Sequence, residues 1–240
     1  MPIRAILLDK DGTLVDFQLT WGPATHAVIA QLAAGDDAAY RRLAAVSGFV
    51  AAEQRFLVGS PLIAGATPDF GPSWAQALGR PATPDFFAEI DRLFLQAGLQ
   101  HLVPIGEPSV TLAALARRGY RLGIMTNDAE ANARAQVARL EIDRLVEFIA
   151  GHDSGFGAKP DPAPVLAFAR ALGITPREVA VVGDAVHDLA AARAAGAAAI
   201  GVLSGPTPRE LLAPHADALI GSVADLPGWL DGRQRPAAAQ

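Results

Sequence analysis

The feature that most constrains this chain is an alternation that begins near residue 100. Short apolar runs, Tyr120 to Met125, Val146 to Ala150, Val179 to Val182, Ala198 to Leu203 and a weaker Ala218 to Ile220, are separated by helix-patterned segments. The latter run from about Ala129 to Leu140, Ala163 to Leu172 and His187 to Ala195, and a further helix, Val110 to Arg118, precedes them and ends at Gly119. Short apolar runs bounded by turn residues read as buried strands, and a three-and-four spacing of apolar residues reads as a helix with one apolar face. Strands alternating with helices predict an α/β fold built on a parallel sheet. In such a sheet ligands bind outside the carboxyl ends of the strands, near a switch point in strand order. Polar residues at strand ends are therefore where the chemistry is to be sought.

The N-terminal run Ile3 to Leu8 reads as one more strand, and it ends in Asp9-Lys10-Asp11-Gly12-Thr13-Leu14. Side chains alternate faces along a strand, so Asp9 and Asp11 point the same way if that geometry persists, and Lys10 points away from the site. Two carboxylates so placed suit a hard divalent cation, or a nucleophile with an acid/base partner. Gly12 lets the chain bend, and N–H groups in such a turn can cradle an anion. Taken alone, the pair reads equally well as a polar strand end with a turn.

Three further strand ends carry polar strings. Ile124-Met125-Thr126-Asn127-Asp128 offers a hydroxyl and an amide to a phosphate oxygen; the same residues also suit the N-cap of the helix from Ala129. Gly155-Phe156-Gly157-Ala158-Lys159-Pro160 is neither a Walker loop nor a dinucleotide fingerprint. Its lysine can neutralise a phosphate or hold an aspartate's charge in check. Of the 20 basic residues only Lys10 and Lys159 are lysines, which singles Lys159 out in a chain that otherwise uses arginine. His152, Asp153 and Ser154 have triad composition, but consecutive residues cannot satisfy triad geometry and they read as loop. Finally Val181-Val182-Gly183-Asp184-Ala185-Val186-His187-Asp188 supplies a third acidic oxygen in Asp184. Asp188 follows at the start of the next helix, where an acid complements the helix dipole.

Residues from about Pro23 to Gly98 lack β-rich runs. Ala27, Val28, Leu32 and then Leu43, Val46, Val50 keep helical spacing, and Phe86, Phe87, Ile90, Leu93 and Phe94 follow a Thr83-Pro84-Asp85 helix start. Gly59 to Pro72 is rich in Gly, Pro, Thr and Ser and reads as loop. Residues 17–100 are thus expected to form an all-helical unit that interrupts the first strand's domain. The core is expected over 1–16 and 101–231, with 232–240 a mobile tail.

The full string Asp-x-Asp-Gly-Thr-Leu, followed in order by Thr126, Lys159-Pro160 and Gly183-Asp184-x-x-x-Asp188, resembles the four motifs of the haloacid dehalogenase superfamily. The closest likeness is to its phosphoglycolate phosphatase group, and Gly183 to Gly196 is typical of its broader cap class. The resemblance implies a Rossmann-like parallel sheet core with an inserted helical cap. It implies Asp9 as nucleophile, Asp11 as general acid/base, and Thr126 and Lys159 as catalytic partners. Gly12, Thr126, Asn127 and Lys159 would hold the phosphate. Mg²⁺ would be held by Asp9, the main-chain carbonyl of Asp11 and Asp184, with Asp188 behind them. The implied reaction is Mg²⁺-dependent hydrolysis of a small phosphomonoester, phosphoglycolate-like or a sugar phosphate, through an aspartyl phosphate.

Dehalogenases and phosphonatases of the superfamily lack the second aspartate, which Asp11 supplies here. β-Phosphoglucomutases typically carry a histidine about a dozen residues after the nucleophile, where this chain has Trp21. A mutase-like phosphotransferase and a catalytically silent phosphate-binding module are the alternatives. The cap's Arg41, Arg42, Arg55 and Arg80 could bind a substrate carboxylate or solvate helices. A chain of 240 residues, 51% hydrophobic and 19% charged, can bury a sizeable core. A net charge of -5 argues against nucleic acid as a partner. The absence of cysteine excludes a thiol nucleophile and a cysteine zinc site. No apolar stretch approaches the roughly 18 residues a membrane span needs, and no signal-peptide core precedes Asp9. The chain is expected to be a soluble cytoplasmic protein acting on a small-molecule phosphate ester, with its oligomeric state open.

Overall fold

In the computed structural model, which describes residues 2–63 and 65–234, strand β1 (Ala5–Leu8) lies at the centre of a six-stranded sheet, and all four of its residues are fully buried. The chain then forms a separate unit: α1 (Phe17–Ala33), α2 (Asp37–Val46), the strands β2 (Phe49–Val50) and β3 (Arg55–Phe56), α3 (Thr67–Leu78) and α4 (Pro84–Gln100). It returns through α5 (Pro108–Arg117), β4 (Arg121–Met125), α6 (Glu130–Arg139), β5 (Phe148–Ala150) and α7 (Ala163–Leu172). β6 (Val179–Gly183), α8 (Val186–Ala195), β7 (Ala198–Val202), α9 (Arg209–Leu212), β8 (Ala218–Ile220) and α10 (Leu226–Gln234) complete it.

The sheet order is β5-β4-β1-β6-β7-β8 and every pairing is parallel. Ala5 of β1 lies beside Arg121 on one side and Val179 on the other. Period-2 alternation sends Ile6, Leu8, Leu122, Ile124, Ala180 and Val182 to one face and Ala5, Leu7, Val179 and Val181 to the other. Helices cover both faces, which is why the strands read as continuous apolar runs. After β5 the chain crosses to the far side of β1, so the order reverses there and a crevice opens at the carboxyl ends of β1, β4 and β6.

The inserted unit has its own core. Trp21, Phe70, Trp74 and Phe94 meet with ring centroids 5.2–6.3 Å apart, and burial of each ring contributes on the order of 2 kcal/mol. Asp16 caps α1 by accepting from the Leu19 N–H at 2.9 Å, and Thr83 caps α4 with Pro84 at its first turn, as the sequence predicts. The unit is not wholly helical: β2 and β3 form a short antiparallel ribbon, with Gln54 left-handed at its turn. The cross-strand pair Phe49 and Phe56, 5.3 Å apart, gives this ribbon the side-chain contact that helical spacing did not reveal. The expected loop Gly59 to Pro72 is also shorter, because α3 begins at Thr67 and carries Pro68 where a missing N–H is tolerated.

The two links between unit and core run antiparallel beside the carboxyl end of β1. Asp16 N–H donates to Val103 O at 2.8 Å, and Ile105 N–H to Leu14 O at 2.9 Å. Of the expected tail, Gly232 to Gln234 continue α10 and 235–240 lie outside the described residues. No helix among the described residues is long and apolar enough to cross a membrane.

Candidate active site

Each expected motif sits at the carboxyl end of a strand: Asp9 after β1, Thr126 after β4, Lys159 in the loop after β5, and Asp184 after β6. Asp9, Thr126, Lys159 and Asp184 line one cavity of about 90 Å³, room for several waters or one small ester. Lys159 Nζ stands 2.6 Å from Asp9 Oδ1 and 2.6 Å from Asp188 Oδ1, and all three residues are buried. Asp188 Oδ2 accepts from the Ala185 N–H at 2.9 Å, so both its oxygens are occupied.

Carboxylate oxygens of Asp9, Asp184 and Asp188 lie within 4.8 Å of one another. Three carboxylates around one ammonium leave two negative charges uncompensated when all are ionised. Burial, and the charge of Asp188, push Asp9 up to about 7 against the pull of Lys159. Burial and the Asp9 and Asp188 charges likewise raise Asp184 well above its ordinary value. Burial alone would lower Lys159, but Asp188 and Asp9 outweigh it and hold the ammonium charged. Such a set of hard, crowded oxygens fits a divalent cation, which would replace protons as their partner.

The glycines around Asp184 are shaped to it. Gly12 has φ +81°, and a Cβ there would fall 2.4 Å from the Asp184 carboxyl; one on Gly205 would fall 1.9 Å from its Oδ2. Ser204 Oγ donates to Gly12 O at 2.8 Å and ties the loop after β7 to the loop after β1. That loop contributes to the site and was not read from the sequence. The Gly12 N–H is taken up by Val15 O at 2.7 Å, so here Gly12 makes room for Asp184 and its N–H is already engaged within the loop.

Asn127 also does something other than expected. Its Nδ2 donates to Lys159 O at 3.0 Å and its Oδ1 accepts from Lys159 N–H at 2.8 Å. The carboxamide therefore seats the Lys159 main chain, a role the sequence did not suggest. Thr126 Oγ1 accepts from Asp128 N–H at 3.1 Å. Asp128 does not cap α6; its Oδ1 accepts from Ala129 N–H and Asn132 Nδ2, both at 2.8 Å. Asp153 and Ser154 hold Glu130 at the start of α6 and form no triad.

The largest departure is Lys10. Strand geometry ends at Leu8, and the chain folds back so that Thr13, Leu14 and Val15 all donate N–H groups to Lys10 O. Alternation therefore fails at Lys10, and its fully buried side chain runs to Asp11 and to Gln136 Oε1, 2.6 Å away. Asp11 takes a second donor from the cap: Trp21 Nε1 lies 2.5 Å from its Oδ1. Neither Trp21 nor Gln136 was read as a site residue; the scarcity of lysine, which flagged Lys159, flags Lys10 equally well.

A doubly covered parallel sheet with a buried aspartate and lysine at its carboxyl edge defines the class as α/β, with its polar site at the switch point of the sheet. A model of the haloacid dehalogenase-like hydrolases matches residues 3–196, and the chain belongs to that family. It is 33% identical over 242 residues to the plasmid phosphoglycolate phosphatase of Cupriavidus necator, covering 99% of this chain and 98% of that one. It is 31% identical to the phosphoglycolate phosphatase of Rhodospirillum rubrum over 95% of this chain and 90% of the other. Among solved structures, a predicted phosphoglycolate phosphatase from Haemophilus somnus superposes with TM-score 0.72 at 22% identity, over 97% and 98% of the two chains. The chain is a hydrolase of the phosphatase kind within this family.

Proposed function

We propose that the protein hydrolyses a small organic phosphate monoester by in-line attack of Asp9. The observation that carries this reading is Lys159 Nζ held 2.6 Å from Asp9 at the floor of the cavity. A dianionic ester repels a carboxylate, and the fixed ammonium offsets that repulsion. Asp9 Oδ forms a bond to phosphorus as the bond to the leaving oxygen breaks, giving an aspartyl phosphate. Asp11 gives a proton to the leaving alkoxide, then takes one from the water that hydrolyses the intermediate and restores Asp9. Thr126 donates to a transferring oxygen. Asp9, the Asp11 carbonyl and Asp184 would hold Mg²⁺, with Asp188 supporting Lys159 behind them. Bound there, Mg²⁺ supplies charge neutralisation to the phosphoryl oxygens.

The leaving group meets the cap. Phe17, Trp21, Phe56 and Phe94 line that wall, so a substrate there sheds water against aromatic faces. Arg41, Arg42, Arg55 and Arg80 are all exposed and none lines the cavity, which favours their solvating role. The relatives' names support a phosphoglycolate-like ester as substrate, and the small cavity supports turnover of small molecules, a sugar phosphate included, over phosphoproteins or nucleic acid.

The test is phosphate release from a panel of small esters with Mg²⁺, comparing wild type with Asp9→Asn. Loss of the covalent step should lower the rate by more than about tenfold with the fold intact. A variant that keeps more than a tenth of the rate, or isomerisation of a sugar phosphate without phosphate release, would overturn the assignment.

A further inference from the structure

We propose that Lys10 is a positioning residue for Asp11, an inference that rests on the phosphatase reading. Its Nζ lies 2.9 Å from Asp11 Oδ1 and 2.7 Å from Oδ2, so one ammonium grips both oxygens of the carboxylate. The remaining donors meet Gln136 Oε1 at 2.6 Å and approach Asp128 Oδ2 at 3.3 Å, and the Trp21 ring covers the ammonium at 5.0 Å from its centroid. A lysine has three N–H donors and no acceptor, so this set of partners fixes its direction.

Packing alone does not account for this residue. An apolar side chain would fill a fully enclosed position without the desolvation penalty of a charge. What the ammonium adds is a fixed carboxylate at the cavity wall, since Asp11 lines the cavity and Lys10 does not. Its polar supports come from the core, Gln136 from α6 and Asp128 from the loop after β4, while the cap adds only the face of the Trp21 ring. Trp21 holds Asp11 from the cap at 2.5 Å. Asp11 thus has one anchor on each unit, and the core anchor keeps it aimed whatever the cap does. Proton transfer needs the carboxyl within hydrogen-bond reach of the leaving oxygen, and a displacement near 1 Å at such a group is worth about 10²-fold in rate.

The test compares Lys10→Met, which keeps the stem and removes the ammonium, with wild type on esters of different leaving groups. kcat/KM covers the steps up to formation of the aspartyl phosphate. It should fall by about 10²-fold for alkyl phosphates, which need a proton at the leaving oxygen. With 4-nitrophenyl phosphate, whose leaving group needs none, it should fall by less than about fivefold. The Mg²⁺ concentration for half-maximal rate should stay unchanged. On phenyl phosphate, Lys10→Met added to Asp11→Asn should slow the reaction no further, because the two act as one unit. Equal losses on alkyl and nitrophenyl esters, or losses that multiply in the double variant, overturn the proposal. Should Lys10→Met not fold, Gln136→Leu removes the second anchor and is expected to show the same leaving-group dependence at smaller amplitude; a uniform loss there overturns it equally. Wild type that releases no phosphate from any ester of the panel refutes the phosphatase reading itself, a result distinct from all of these.

Discussion

Removing Mg²⁺ should destabilise the fold, and more so as pH rises. Asp9 is buried among carboxylates, and its pKa rises from 3.8 to about 7. A carboxyl whose folded pKa exceeds its unfolded value favours the folded state through its protonated form. Its contribution is therefore present below about pH 4, is lost as pH climbs to about 7, and changes no further above that. At 1.36 kcal/mol for each pKa unit, the rise from 3.8 to about 7 makes this loss about 4 kcal/mol from Asp9 alone. Asp184 is displaced in the same direction and adds to it. A divalent cation that replaces the proton as partner to these oxygens should remove the slope. The assay is urea unfolding in excess chelator and in excess Mg²⁺ at several pH values from about 5 to 8. The gap between the two series should widen by about 3 kcal/mol between about pH 5 and pH 8, a difference of roughly 8 °C in Tm for a chain of this size. Titration of carboxylates elsewhere cancels between the series. A gap that is constant with pH, or that widens on the acid side, would refute the reasoning.

Asn127→Ala should lower activity by about tenfold or more with little change in Tm, because it frees the main chain of Lys159 and so moves the ammonium off Asp9; steady-state kinetics beside a melting curve checks this. Gly205→Ala should raise the Mg²⁺ concentration for half-maximal rate and cost about 1–3 kcal/mol of stability, since its Cβ collides with the Asp184 carboxyl. Replacing Arg41, Arg42, Arg55 and Arg80 together by alanine should leave kcat/KM within about twofold, as solvated side chains outside the cavity contribute little to binding. A large rise in KM for carboxylate-bearing esters alone would assign them to the substrate.

Apart from α9 and α10, which the sequence reading did not contain, the order and type of the core elements were determined by sequence alone. Both faces of the sheet are covered, so every strand had to be an apolar run, and each helix needed only one apolar face to lie on it. The same reasoning placed Asp9, Thr126, Lys159 and Asp184 at strand ends, because chemistry gathers where the apolar run stops. Tertiary structure decided what happens one residue past those ends. Lys10 was expected on the face away from the site, but alternation holds only while a strand persists, and the fold-back after Leu8 turns it beneath Asp11. Its partners Gln136 and Asp128 stand more than a hundred residues away in the chain, and Trp21 belongs to the cap. Gly12 and Asn127 were read as phosphate donors, and the fold also gives the Gly12 N–H to Val15 O and sets the Asn127 carboxamide against the Lys159 main chain. Local pattern determines which face a residue presents within a regular element; in the loops that make the site, hydrogen-bond partners brought together by the fold determine it instead.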